Sequence, residues 1–274
     1  MSFASTLRRV AQTVRHHPVL AFMQPVWSVL RGPYLALLNQ LARESGIEVR
    51  IAGTPMRLNP LFSTQNWETV EAVSYQAFAG AVRPGAVVYD VGAHIGTYSI
   101  LALMRSGPEG RVVAYEPHAY TRTHLERHLE WNGCRERTVI REVCCGAAPG
   151  MAEFFFAPGL AEGMNGLVPV DGFSRMQVKV DTLDREVAAV GLVPDLVKID
   201  VEGAEWDVLR GAEATLAAHR PALFLSVHPD ALAKIGVAPA DIEAWLRERG
   251  YDWTVIARDH EVHVVSRPAK GARA

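Results

Sequence analysis

Cysteine is scarce in this chain, with three thiols in 274 residues (Cys134, Cys144 and Cys145). None forms a C-x-x-C pair or stands at metal spacing from a histidine, so a disulfide scaffold and a structural zinc site are both excluded. That usage fits a reducing, cytoplasmic compartment. Charge of one sign is lacking too: 28 basic residues against 30 acidic give a formal net charge of −2, and no global basic footprint announces nucleic acid. No apolar run reaches the roughly 20 residues of a membrane span. Gln24, Pro25, Arg31, Gly32 and Pro33 interrupt the stretch that approaches one. No small-residue cleavage site follows that stretch cleanly, so a signal peptide is not expected. Repeats and low-complexity tracts are absent. What the chain does have is apolar residue, 49% of it, enough for a sizeable core and too much for disorder.

Acids are missing from residues 1–43, where Arg8, Arg9, Arg15, Arg31 and Arg43 carry the charge. Leu7, Val10, Ala11 and Val14 form a helical stripe, as do Tyr34, Leu37, Leu38 and Leu41. Residues 1–45 read as a helical cap or homodimer surface, with peripheral contact at the inner membrane face as the alternative. Residues 46–85 read as a hairpin (Ile47–Ile51 returning at Met56–Leu58) and a helix from Trp67 to Ala81. Residues 86–267 read as the main domain, and 268–274 as a disordered tail.

Within that domain short apolar strands alternate with helices. Strands are expected at Ala86–Asp90, Val112–Tyr115, Val139–Cys144, Leu196–Asp200, Ala222–Val227, Tyr251–Ile256 and Val262–Ser266. Helices are expected from about Thr97 to Met104, His118 to Trp131, Ala204 to His219 and Ala240 to Arg249, with an irregular stretch before Leu196. The pattern predicts an α/β, doubly wound, mainly parallel sheet. Ligands in such sheets bind beyond the carboxyl ends of the strands, where strand order reverses.

At the first such end the chain reads Asp90-Val91-Gly92-Ala93-His94-Ile95-Gly96. A dinucleotide fingerprint would be G-x-G-x-x-G, setting a pyrophosphate on the helix N-terminus. Here the glycines are spaced G-x-x-x-G behind an acid, and a carboxylate suits an ammonium rather than a phosphate. Glu116, followed by Pro117, ends the second strand, where a carboxylate can take both hydroxyls of a ribose. A ribose with a cationic, phosphate-free group describes S-adenosylmethionine better than a nicotinamide dinucleotide, so a dehydrogenase is the weaker reading.

The segments VVYDVGAHIGTYSI (87–100), AYEPH (114–118), VKVDTLD (178–184) and LVKIDVEGAEWDVLRGAE (196–213) together resemble the FkbM-type S-adenosylmethionine-dependent methyltransferases. The resemblance covers about residues 85–230. It implies a class I methyltransferase (Rossmann-like) fold, a seven-stranded sheet with its last strand antiparallel. It also implies methyl transfer to an oxygen, often on a sugar, glycan or natural-product scaffold. By position Asp90, Gly92 and Gly96, with Ala93 and His94 between, would form the cofactor loop, and Glu116 with Pro117 would hold the ribose. His94 stands where the family commonly has Asn, and the LSVHP segment (225–229) lacks the acid expected of many members.

A sugar hydroxyl is a poor nucleophile at neutral pH, so its proton must be removed by a base or its pKa lowered by a metal. His228, just past the fifth strand, has an ordinary pKa near ~6.5 that suits a base. Asp200, Lys198 on the same strand face, and Glu202 would shape the site around it. Glu202 and Glu205 open the next helix, where acids also complement the dipole. Asp200 with His228 is the thin basis for a divalent cation, so no metal ligand set is assigned. His118, His124 and His128 read as solvated, and Phe154-Phe155-Phe156 as buried strand. A non-catalytic nucleoside-binding module and methylation of a non-oxygen acceptor are the alternatives. Nucleic acid is disfavoured as a partner: those amino-methylating enzymes carry an Asn/Asp-Pro-Pro-aromatic cluster, where this chain reads Lys198-Ile199-Asp200-Val201-Glu202-Gly203.

Overall fold

The computed structural model describes residues 32–34, 36–38, 40–157, 165–258 and 261–269. The stripe at Leu7–Val14 lies outside the described residues. Within the second stripe the chain is helical at 32–34, 36–38 and 40–41, but only Leu38 is buried, while Leu37 and Leu41 face outward. Ala42, one turn beyond Leu38, is buried beside it, so the inward face is narrower than the stripe predicts. No described helix is long and apolar enough to cross a membrane.

Strands β1 (Ile47–Ile51) and β2 (Thr54–Leu58) form the expected antiparallel hairpin. Helix α1 (Ala72–Ala81) begins later than its apolar run suggests. Glu71 holds a left-handed conformation (φ 46°) that interrupts the turns starting at Asn66.

The main sheet contains β3 (Val87–Val91), β4 (Arg111–Tyr115), β5 (Thr138–Arg141), β9 (Leu196–Ile199), β10 (Ala222–Val227), β11 (Thr254–Arg258) and β12 (Val262–Ser266). Its order is β11-β12-β10-β9-β3-β4-β5; β10, β9, β3, β4 and β5 pair in parallel, and β12 runs antiparallel to β10 and β11. This is the class I methyltransferase arrangement, and the order reverses at β3, between β4 and β9. On one face α1, α2 (Thr97–Ser106), α3 (Ala119–Trp131) and the hairpin bury one core. On the other, α4 (Leu183–Val190), α5 (Glu205–Arg210), α6 (Glu213–His219), α7 (Pro229–Lys234) and α8 (Pro239–Glu248) bury a second.

Four expectations need correction. The third strand stops at Arg141, and the chain then leaves the sheet. β6 (Cys144–Cys145) pairs instead with β8 (Ser174–Asp181), which also pairs with β7 (Gly150–Phe156), so the supposedly irregular stretch is a three-stranded sheet followed by α4. The helix expected over 204–219 is broken: Asp184 accepts the Ala214 and Thr215 N–H groups (3.0 and 2.7 Å) and starts α6 anew. His118, His124 and His128 are buried rather than solvated, the last two in edge contact with Phe62. Finally, Pro268 bridges Tyr251 and the Ala269 N–H donates to Gly250 O (2.8 Å), so the paired chain runs into the expected tail.

Candidate active site

The segment from β3 to α2 turns tightly because two glycines allow it. Gly92 sits at φ 82°, and a Cβ there would lie 1.8 Å from the Asp200 carbonyl oxygen. Gly96 sits at φ 89°, with room for a Cβ blocked by Leu125 at 2.5 Å. Both positions hold a backbone conformation that favours glycine, and at Gly92 the neighbouring backbone leaves no space for a Cβ. The loop is fastened to the second strand: the Ala93 N–H donates to Tyr115 O (2.9 Å) and the His94 N–H to Glu116 Oε2 (3.0 Å). The His118 N–H donates to the other oxygen of Glu116 (2.9 Å), so one carboxylate joins the loop to the start of α3. Burial pushes the Glu116 pKa up to about 8, against the two N–H groups and the charges of Arg122 and Lys198, which favour the ionised form.

A cleft of about 560 Å³ opens above the strand ends. Gly92, His94, Glu116, Pro117 and Asp200 line it, together with apolar surface from Val143, Cys144 and Phe154. Phe154 belongs to the inserted sheet, which the strand reading of 154–156 does not bring to the cleft. Asp90, Ala93 and Gly96 stand behind that surface. The ammonium that Asp90 meets is the protein's own: Lys198 Nζ lies 3.4 Å from Asp90 Oδ1, and Ser99 donates to Oδ2 (2.6 Å). Lys198 also donates to Gly92 O (3.0 Å) and pairs with Asp200 Oδ2 (3.2 Å), over the ring of Tyr98. Burial opposes its charge, but Asp200 and Asp90 outweigh that and raise its pKa.

Beside the cleft, His228 meets carboxylates from several segments. Its Nδ1 is 2.8 Å from Glu205 Oε1; its Nε2 is 3.3 Å from Glu261, 3.4 Å from Glu202 and 3.8 Å from Asp200. Burial alone would lower the His228 pKa; the Glu205 hydrogen bond and the charges of Asp200, Glu205 and Glu202 raise it to about 10. That upward shift sets His228 apart from the ordinary imidazole on which its reading as a base is built. Burial, only partly offset by His228, brings Glu202 to about 7. Glu202 lies in the turn before α5 with a left-handed backbone (φ 54°), not in the helix. Glu205 does open α5, but its buried carboxylate holds His228 and the Gly203 N–H (2.9 Å) rather than serving as a solvated dipole partner.

Glu261 is the residue that sequence reasoning missed. It immediately precedes β12, and the pairing of Val227 with Val262 sets it opposite His228. Asp200, His228 and Glu261 each present a ligand atom within 4.8 Å of the others. The sequence signal was an acid adjoining an apolar strand, meaningful only once the antiparallel register is known.

The Methyltransferase FkbM domain matches residues 90–253, more than half of the chain. The chain belongs to the FkbM methyltransferase family. The matched domain is that of a methyltransferase family, and a methyltransferase fold of this class implies S-adenosylmethionine as its cofactor. AMB antimetabolite synthetase AmbE of Pseudomonas aeruginosa is 30% identical over 236 residues, covering 71% of this chain and 11% of that protein. The chain thus spans only about a ninth of AmbE. Methyltransferase sdnD of Sordaria araneosa is 27% identical over 198 residues, 61% of this chain and 74% of that one. The crystal structure of methyltransferase FkbM from Methylobacillus flagellatus KT shares 16% identity, covering 73% of this chain and 59% of that one, with a TM-score of 0.49.

Proposed function

We propose that the chain transfers a methyl group from S-adenosylmethionine to a hydroxyl oxygen of a small molecule, of the sugar, glycan or natural-product class. The observation that carries this reading is Asp200, which lines the cofactor cleft and also reaches the recess formed by Glu202, His228 and Glu261. A recess rich in carboxylate oxygens accepts hydrogen bonds from hydroxyl groups and repels phosphate or carboxylate acceptors. By name, AmbE is an antimetabolite synthetase, which supports a natural-product acceptor within the segment that the two chains share.

The cleft suits the cofactor chemically. Glu116 would take the ribose hydroxyls, each of its oxygens keeping a lone pair beyond its N–H bond. Val143, Cys144 and Phe154 offer apolar cover for the purine, and Gly92 lets the backbone approach. When bound, S-adenosylmethionine supplies an already activated methyl group. The chain's task is then alignment and proton removal. Lys198 holds Asp200 and the Gly92 carbonyl in one arrangement; Glu202, beside Asp200, takes the acceptor proton; His228, held by Glu205, orients Glu202.

Turnover of labelled cofactor against nucleotide sugars, glycans and lipid-linked sugars tests this, with amines and RNA in parallel. Label should enter hydroxylated acceptors, and Glu202→Gln should lower kcat about 10²–10⁴-fold with cofactor affinity kept. Label entering only amines or RNA would overturn the hydroxyl reading.

A further inference from the structure

We propose that Asp200, His228 and Glu261, with Glu202 beside them, form a binding site for a divalent cation at the acceptor end of the cleft. Its role in catalysis rests on the methyl-transfer reading above; its existence does not.

Three carboxylate oxygens gather on one ring nitrogen. His228 Nε2 lies 3.3 Å from Glu261 Oε2, 3.4 Å from Glu202 Oε2 and 3.8 Å from Asp200 Oδ1. A single N–H can serve one such oxygen well, and a charge-assisted bond of that kind closes to about 2.7–2.9 Å. On its other side the same ring makes such a bond, at 2.8 Å to Glu205 Oε1. Adjacent ligands around a divalent ion, by contrast, stand roughly 3.0–3.5 Å apart for bonds of about 2.1–2.5 Å. Glu261 and Glu202 stand at that spacing from Nε2, Asp200 slightly beyond it, and the ligand atoms of Asp200, His228 and Glu261 all lie within 4.8 Å of one another.

The surroundings have the matching chemistry. A histidine that ligates through one nitrogen donates its other N–H to a carboxylate, which fixes the ring. Glu205 does this from a wholly buried side chain, and its Oε2, within the same cluster, has no hydrogen-bond partner. Behind Glu261, His263 Nε2 lies 3.5 Å from Oε1. Asp90, Asp200, Glu202, Glu205 and Glu261 crowd together, and Lys198 is the fixed cation that pairs with two of them.

One imidazole with carboxylate oxygens and no thiolate selects manganese(II) or magnesium over ions that prefer sulfur ligands. Held beside Asp200, such an ion polarises the acceptor O–H. The proton passes to a carboxylate of the cluster, the oxygen forms the new C–O bond, and the methyl–sulfur pair returns to sulfur.

The test uses the full chain, stripped with chelator and titrated with manganese(II), following loss of the free-ion electron paramagnetic resonance signal. S-adenosylhomocysteine affinity is measured on the same preparation. One ion per chain is expected, with binding at least about 10-fold weaker in Glu261→Gln and in Asp200→Asn; circular dichroism and melting report whether each variant folds. Saturable binding in the wild type, weakened to that extent in both folded variants, supports the site. No saturable binding below millimolar manganese, or wild-type affinity in a folded variant, overturns it. If S-adenosylhomocysteine binds and manganese does not, the cation site falls and the methyl-transfer reading stands; manganese binding without the nucleoside has the opposite meaning.

Discussion

His128→Phe keeps an aromatic ring in the core but removes both hydrogen bonds of the imidazole. In the wild type Nε2 accepts the Asn59 N–H and Nδ1 faces Ile95 O, each at 2.8 Å, from a fully buried side chain. Nε2 must be the acceptor, because a backbone N–H can only donate, so the ring is neutral with its proton on Nδ1. The variant deserts two buried backbone groups at about 1–3 kcal/mol each, hence roughly 2–6 kcal/mol at pH 7. Burial pushes the His128 pKa down to about 3, against the Ile95 bond, which favours protonation. A folded pKa below the unfolded value near ~6.5 means that the unfolded chain binds the proton first. The contribution is full above pH 6.5 and falls by about 1.4 kcal/mol per unit down towards pH 3. Urea unfolding of both proteins at pH 7, 6, 5 and 4 reads this directly. Groups common to both proteins cancel in the difference, so the wild-type advantage should shrink at that rate below pH 6.5. An advantage independent of pH would refute the neutral, tautomer-locked histidine.

Gly92→Ala should destabilise by more than about 3 kcal/mol and abolish cofactor binding, since its Cβ meets the Asp200 carbonyl at a left-handed position; a melting temperature within a few degrees of wild type would contradict it. Glu116→Ala should weaken S-adenosylhomocysteine binding about 10–100-fold by calorimetry, and unchanged affinity would remove Glu116 from the ribose. Lys198→Met should cost about 3–5 kcal/mol in denaturant titrations, because it strands Asp90 and Asp200 without their shared cation.

Among the parallel strands the most legible are short apolar runs with an acid at or just past their ends. Ala86–Asp90 and Leu196–Asp200 show this, and their adjacency in the sheet follows from the class of fold. The inserted sheet was hidden by its edges: Glu142 and Val143 carry the chain from β5 to β6 without a glycine or proline to mark the break. Buried histidines on α3 were misjudged since their partners, Phe62 and Asn59, lie in a segment far away in sequence. The basicity of His228 was illegible for the same reason. Its value depends on acids at 200, 202 and 205, which stand close together in the chain but meet the ring of His228 only once α5 and the end of β10 pack together.

The close fit of Gly92 against the Asp200 carbonyl has a mechanical consequence. The loop after β3, the donor side in the proposed reading, and the strand end at Asp200, its acceptor side, touch backbone to backbone, with Lys198 tied to both. They are therefore one rigid block rather than two jaws. In-line transfer loses rate steeply when its partners are misplaced by about an ångström. Here the separation between donor loop and acceptor-facing carboxylate is set when the chain folds, and ligand entry must be accommodated by segments other than these two.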